Sequence, residues 1–106
     1  MDEPKKILTV HIGKNDIFEW TMGSGKDTIM QELLIGCEEL LYNKLEEVKC
    51  LRVESLVRGK QTAYDFSVKE DGVTETLTKI MEWALDTENY EVCQRVKNLN
   101  DYLERF

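Results

Sequence analysis

Proline is nearly missing from this chain: Pro4 is the only one in 106 residues. No proline-punctuated linker therefore divides it, and no internal repeat or low-complexity tract appears. Histidine is represented once, by His11. A lone imidazole lacks the second histidine of a typical catalytic zinc site, and a His–Cys pair would need geometry that sequence does not supply. The three cysteines, Cys37, Cys50 and Cys93, are odd in number and show no C-x-x-C spacing. That excludes a disulfide framework and a zinc ribbon. Each lies in an apolar-periodic segment, as buried thiols of a reducing compartment do. No G-x-S-x-G, H-E-x-x-H or EF-hand pattern occurs, so nothing assigns catalysis, a metal or a cofactor. No apolar run reaches membrane-spanning length, and MDEPKK at the start has no apolar signal core. The expectation is a cytoplasmic protein, in a cell or delivered into one, with no membrane partner.

Excess basic charge is also lacking. Fourteen Lys and Arg face twenty-one Asp and Glu, for a formal charge of −7. Neutralising phosphates takes clustered cations, so a general nucleic-acid coat protein is disfavoured. An acidic surface serves solubility, a basic protein partner or mimicry of a nucleic acid. Such short acidic chains fit phage or mobile-element products.

What is present suffices for one domain. Apolar residues make up 42% of the chain, enough for a single core at this length. Residues 5–20 read as a hairpin: Ile7, Leu8, Val10 and Ile12, a turn at Gly13–Asp16, then Ile17, Phe18 and Trp20. From about Asp27 to Val48, apolar residues at 30, 33, 34, 37, 40, 41, 45 and 48 follow helical spacing. Ser24 or Asp27 would cap that helix, and Glu38, Glu39, Lys44, Glu46 and Glu47 would form its solvated face. Leu51, Val53 and Val57, then Tyr64, Phe66 and Val68, alternate with polar residues across Arg58-Gly59-Lys60, which is a second hairpin. A helix from Val73 to Leu85 turns Leu77, Ile80, Met81 and Ala84 inward. After Asp86-Thr87, with Thr87 as cap, a last helix repeats Tyr90, Cys93, Val96, Leu99, Leu103 and Phe106. The order ββαββαα predicts an α+β domain: a small antiparallel sheet of two hairpins, a long helix across it, and a C-terminal antiparallel helical hairpin. One sheet face would stay open to water or a second copy, making a homodimer an option.

Three segments carry functional expectations. The run MEWALDTENYEVCQRVKNLNDYL, residues 81–103, has Ala84, a polar turn at Asp86–Asn89, Tyr90-Glu91, the small apolar Cys93 and then Arg95-Val96-Lys97-Asn98. It resembles the UVR motif, a short helical hairpin of bacterial excision-repair nuclease subunits and several unrelated bacterial proteins. It departs from that motif at Cys93, at Asn98 and at Leu99, which stands one place early. The resemblance implies docking of a protein through the hairpin, with this chain as adaptor or inhibitor. Leu85, Val92 and Tyr102 fall off the main stripe; with Tyr90 and Val96 they are the candidate contact residues.

The alternative is a nucleic-acid accessory protein using Arg52, Arg58, Lys60 and Lys69 on the 50–69 hairpin, with Tyr64 and Phe66. A third reading, an oligomer sequestering a small anion, rests on Lys14, Lys26 and the loop GSGKDT at 23–28. That loop fails the phosphate-loop pattern twice, with Trp20 in place of the first glycine and Asp27 in place of Ser or Thr. Asp16 and Glu19 are the one carboxylate pair near His11.

Overall fold

Alternating apolar and polar residues place successive side chains on opposite faces of a strand, and the middle of the chain follows that rule. In the computed structural model, which describes residues 7–105, β2 (Glu47–Val57) and β3 (Lys60–Lys69) form an antiparallel hairpin. Lys60 already pairs with Val57, so the loop is the two residues Arg58-Gly59. Their φ values of 53° and 74° are those of a turn whose twist matches the strands. Val48, Leu51, Val53, Ser55 and Val68 are buried on one face. Lys49, Arg52, Asp65 and Ser67 lie exposed on the other.

The first expected hairpin does not form. β1 (Leu8–His11) pairs with β2, and the pairing is parallel, Leu8 with Leu51 through His11 with Glu54. Parallel neighbours need a crossover of a dozen or more residues. That crossover consists of α1 (Ile17–Met22) and α2 (Lys26–Tyr42). The sheet is therefore mixed and three-stranded, in the order β1-β2-β3, not an antiparallel sheet of two hairpins. Ile17, Phe18 and Trp20 fit one helical turn as well as a strand, and so short a segment has no resolvable period. Asp16 decides the outcome locally: its Oδ1 accepts the Glu19 N–H at 3.1 Å and caps α1. Ser55, buried, donates to the Asn15 carbonyl at 2.5 Å and ties the β1–α1 loop to β2.

Helix α2 stops at Tyr42 rather than running to Val48. Lys44 takes φ 55°, and the Leu45 N–H donates to the Leu40 carbonyl at 2.9 Å. This is a Schellman ending built without glycine, so the sequence carries no stop signal. Val48 is a strand residue. At its start α2 has Gly25 as cap, with no side-chain hydrogen bond, instead of Ser24 or Asp27.

Helix α2 is buried on two opposite sides. Gly36 faces the sheet, where an added Cβ would lie 2.3 Å from Cys50 Sγ. Cys50 is the extra residue of a bulge, since the register jumps from Lys49 to Leu51. Half a helical turn round, Asp27 Oδ1 accepts the Trp83 indole N–H at 2.8 Å. On the same side Glu38 accepts Arg95 Nε at 3.1 Å and a second, short bond from Nη2. Glu38 is thus an internal ion-pair partner and not part of a solvated face.

The partners Trp83 and Arg95 belong to α3 (Val73–Asp86) and α4 (Tyr90–Glu104), the expected C-terminal hairpin. A 3-10 turn at Glu70–Gly72 joins β3 to α3. The layers run sheet, α2, then the α3–α4 pair, an α+β architecture with one continuous core. Among the described residues, no helix is long and apolar enough to cross a membrane. Phe106 and the first residues of the N-terminal strand pattern lie outside the described residues.

Candidate docking surface

The α3–α4 hairpin has an inner and an outer side. Its inner side is closed. Val73, Leu77, Ile80, Trp83 and Ala84 from α3, and Val92, Val96 and Leu99 from α4, are all buried. The turn between the helices is fixed on both sides. Asn89 N–H donates to the Ala84 carbonyl at 2.8 Å and Glu88 takes φ 55°, a second Schellman ending. Asn89 Oδ1 accepts the Val92 N–H at 3.3 Å and caps α4. Thr87, the expected cap, instead donates back to the Trp83 carbonyl at 2.9 Å.

This turn leaves Leu85 and Tyr90 side by side on the outside, 58% and 69% exposed. With half-buried Met81 and Cys93 they line a groove of about 510 Å³ that continues past Gln94 to Lys97 and Asn100. Lys97 is the one charged residue in its lining; Glu82, Asp86 and Glu88 are exposed close by in the chain, and Glu91 lies on the Arg95 side of α4. The result is an apolar trough that becomes polar toward Gln94, Lys97 and Asn100.

The five candidate contact residues separate into three places. Leu85 and Tyr90 line the groove. Val92 and Val96 are 4% and 0% exposed; they face α2 and belong to the core, so they offer nothing to a partner. Tyr102 packs edge-on against Tyr42, ring centroids 5.2 Å apart, beside a separate hollow lined by Leu41, Leu45 and Leu103. Met81 and Cys93, expected inward from helical spacing, sit half-exposed in the groove. Their signal was available: Met81 and Leu85 are four apart, and Tyr90 and Cys93 three apart, a second stripe beside the inner one. Arg95, within the UVR-like run, is held by Glu38, and that hydrogen bond is the main reason its guanidinium is stabilised in the charged form. Lys97 is the cation left at the groove.

No family model, curated protein or solved structure matches this chain.

The other candidates are dispersed or already engaged. Arg52 pairs with Asp65 at 3.1 Å and with Glu54 at 3.6 Å, and Lys69 lies 4.0 Å from Glu47. Arg58 and Lys60 stand at the hairpin tip, and Lys69 at the far end of β3, roughly 30 Å away along an extended strand. The four cations therefore do not form one patch. Tyr64 and Phe66 contact each other, centroids 4.8 Å apart, on the opposite sheet face from Arg52. In the glycine loop, Gly25 is buried directly beneath the Trp20 ring, and Asp27 is bound to Trp83. The loop is a packed corner with no cradle for an anion. Asp16 is occupied as a helix cap. His11 is exposed on the open sheet face, paired in register with Glu54. Among the described residues no three His, Cys, Asp or Glu side chains come together as a metal site. Burial, then the neighbouring Cys50 and Glu38, push the Cys37 thiol up to about 12, so at neutral pH it is a protonated core side chain.

Proposed function

We propose that this chain is a protein-binding module, an adaptor or inhibitor, that receives an amphipathic helix of a basic partner protein in the outer groove of α3–α4. The observation that carries this reading is the exposure of Leu85 and Tyr90 on a hairpin whose inner face is already saturated by α2. Two apolar faces on one hairpin suit packing on both sides, and aromatic and aliphatic anchors in a shallow trough are what helix-in-groove recognition uses. The chain's net charge of −7 favours a partner with Lys and Arg flanking its apolar stripe and speeds encounter. The UVR-like run lies on this hairpin, in keeping with a docking role.

The test is affinity capture with the intact chain, wild type against Leu85→Glu and Tyr90→Ala. Both positions are exposed, so circular dichroism and the unfolding midpoint should stay near wild type. Loss of a specific partner from both variants supports the groove. An identical partner set in wild type and both variants refutes it.

A further inference from the structure

The sheet has a second surface that the hairpin reading leaves unused. β3 is an edge strand of ten residues, and among the described residues nothing pairs with its outer side. Glu70 N–H donates to the Glu46 carbonyl at 2.9 Å, and the register shift at Lys49/Leu51 adds its extra residue to β2. Along β3, even-numbered residues therefore bond to β2. The N–H and C=O groups of Gln61, Ala63, Asp65 and Ser67 point off the open edge. Edge strands are commonly blunted by proline, by a bulge or by charge along their middle. β3 has no proline and no bulge, and its lysines stand at its two ends. Its one central charge, Asp65, is already neutralised by Arg52 at 3.1 Å.

Beside this edge, on the face that carries the helices, lies an exposed aromatic cluster. Tyr64 is 56% exposed and Phe18 of α1 74%. With Ile17, Thr21 and Phe66 they line a groove of about 470 Å³ over β3.

We infer that a second copy of this chain pairs with β3, strand against strand and antiparallel, about a two-fold axis through Tyr64. The strand is its own complement in that register. The outward-pointing residues meet as Gln61 with Ser67 and Ala63 with Asp65. Lys60 faces Val68, Thr62 faces Phe66, and Tyr64 faces its own copy, so no like charges stand opposite. Moving the axis by one residue, onto Asp65, would set two carboxylates against each other, which destabilises a strand pair. The side chains of Tyr64 and Phe66 from both copies then form one aromatic row running into the groove beside Phe18. The edge is neutral to slightly basic within a chain of net charge −7, so the repulsion between copies is least where the strands meet. The two sheets become one, and the α3–α4 grooves remain outside the junction.

Light scattering and sedimentation of the full chain test this. The expected mass is twice the 12.4 kDa of one chain, falling to one chain for Tyr64→Glu with unchanged circular dichroism. Register is read by mild oxidation in a Cys93→Ser background. Tyr64→Cys places two thiols across a non-hydrogen-bonded pair, within disulfide reach, and should cross-link fully. Asp65→Cys, which faces Ala63, should not. A wild-type chain that stays monomeric at its highest soluble concentration overturns the inference. So does a dimer that survives Tyr64→Glu, or cross-linking through position 65 in place of 64. Leu85→Glu should leave the dimer intact, so failure of the groove reading and failure of this one are separable.

Discussion

Replacing Gly36 with alanine should destabilise this protein, although the same change on an exposed helix would stabilise it. The helix-propensity gain of Gly→Ala is about 1 kcal/mol. At Gly36 the added Cβ would lie 2.3 Å from Cys50 Sγ, 3.6 Å from Val68 Cγ2 and 3.7 Å from Val48 Cγ1. The two valines are at ordinary contact, and the sulfur is not. Non-bonded heavy atoms rest at about 3.5–4.0 Å, so helix and bulge must separate by more than about 1 Å or the thiol must leave its rotamer. Cys50 is fully buried and sits on a bulge held from both sides, so neither adjustment is easy. Overpacking of this kind costs about 1–3 kcal/mol, and a contact as close as 2.3 Å belongs at the upper end, leaving a net loss of up to about 2 kcal/mol once the propensity gain is deducted.

Cys50→Ala alone should cost about 1 kcal/mol, the loss of one buried heavy atom. In that background Gly36→Ala should become neutral or favourable, because the new methyl enters the space the sulfur vacated. The expected coupling between the two positions is about 2 kcal/mol, well outside the roughly 0.5 kcal/mol scatter of independent sites. Urea unfolding followed by tryptophan fluorescence and circular dichroism measures it, provided the m-values of the four chains agree. Additive single effects, or a stabilising Gly36→Ala in the wild-type background, would refute the reasoning.

Thiol chemistry should separate the three cysteines. Half-exposed Cys93 should react promptly with a disulfide reagent in the native state, while buried Cys37 and Cys50 should react only as the chain opens; three equal rates would contradict the burial. The Cys37 proton should also be visible in stability. Its folded value of about 12 lies above the ordinary 9.0, so its contribution is complete below pH 9.0 and is lost as pH rises from there toward 12. Cys37→Ala should flatten that part of a stability-against-pH curve, and an unchanged slope would rule the thiol out as its source. Glu88 and Lys44 hold left-handed φ values of 55°, so Glu88→Gly and Lys44→Gly should each raise stability by about 0.5–1 kcal/mol despite the greater freedom of the unfolded chain; a fall in the thermal midpoint would count against these helix endings. Arg95→Ala should cost about 1 kcal/mol for a forked pair that water partly screens. Arg95→Lys should recover little of it, because a lysine cannot span both Glu38 oxygens; full recovery would mean that charge alone matters.

Some of this molecule is legible from residue order because the causes are local. Alternation at 51–57 and 62–68, with Arg58-Gly59 between, specifies the β2–β3 hairpin, since twist and pleat act over neighbouring residues. Helical spacing specifies α3 and α4 for the same reason. Part of the α3–α4 groove is also legible: Leu85 stands out because it falls off the inner stripe.

The rest depended on what the chain packs against. The strand Leu8–His11 has no local mark of a parallel partner, because its hydrogen-bonding groups meet residues 51–54, far along the chain. Only the crossover through α1 and α2 makes that pairing. The stop at Lys44 uses a non-glycine residue whose left-handed conformation is maintained by surrounding packing. Helix α2 looks like a one-sided amphipathic helix, yet lies between two layers, which is why Glu38 and Asp27 reach Arg95 and Trp83. That same placement decides the hairpin. With α2 against Val92 and Val96, those residues become core, and Leu85 and Tyr90 are left facing outward. Sequence alone thus determined that the C-terminal helices carry two apolar stripes; the position of α2 determined which one is covered.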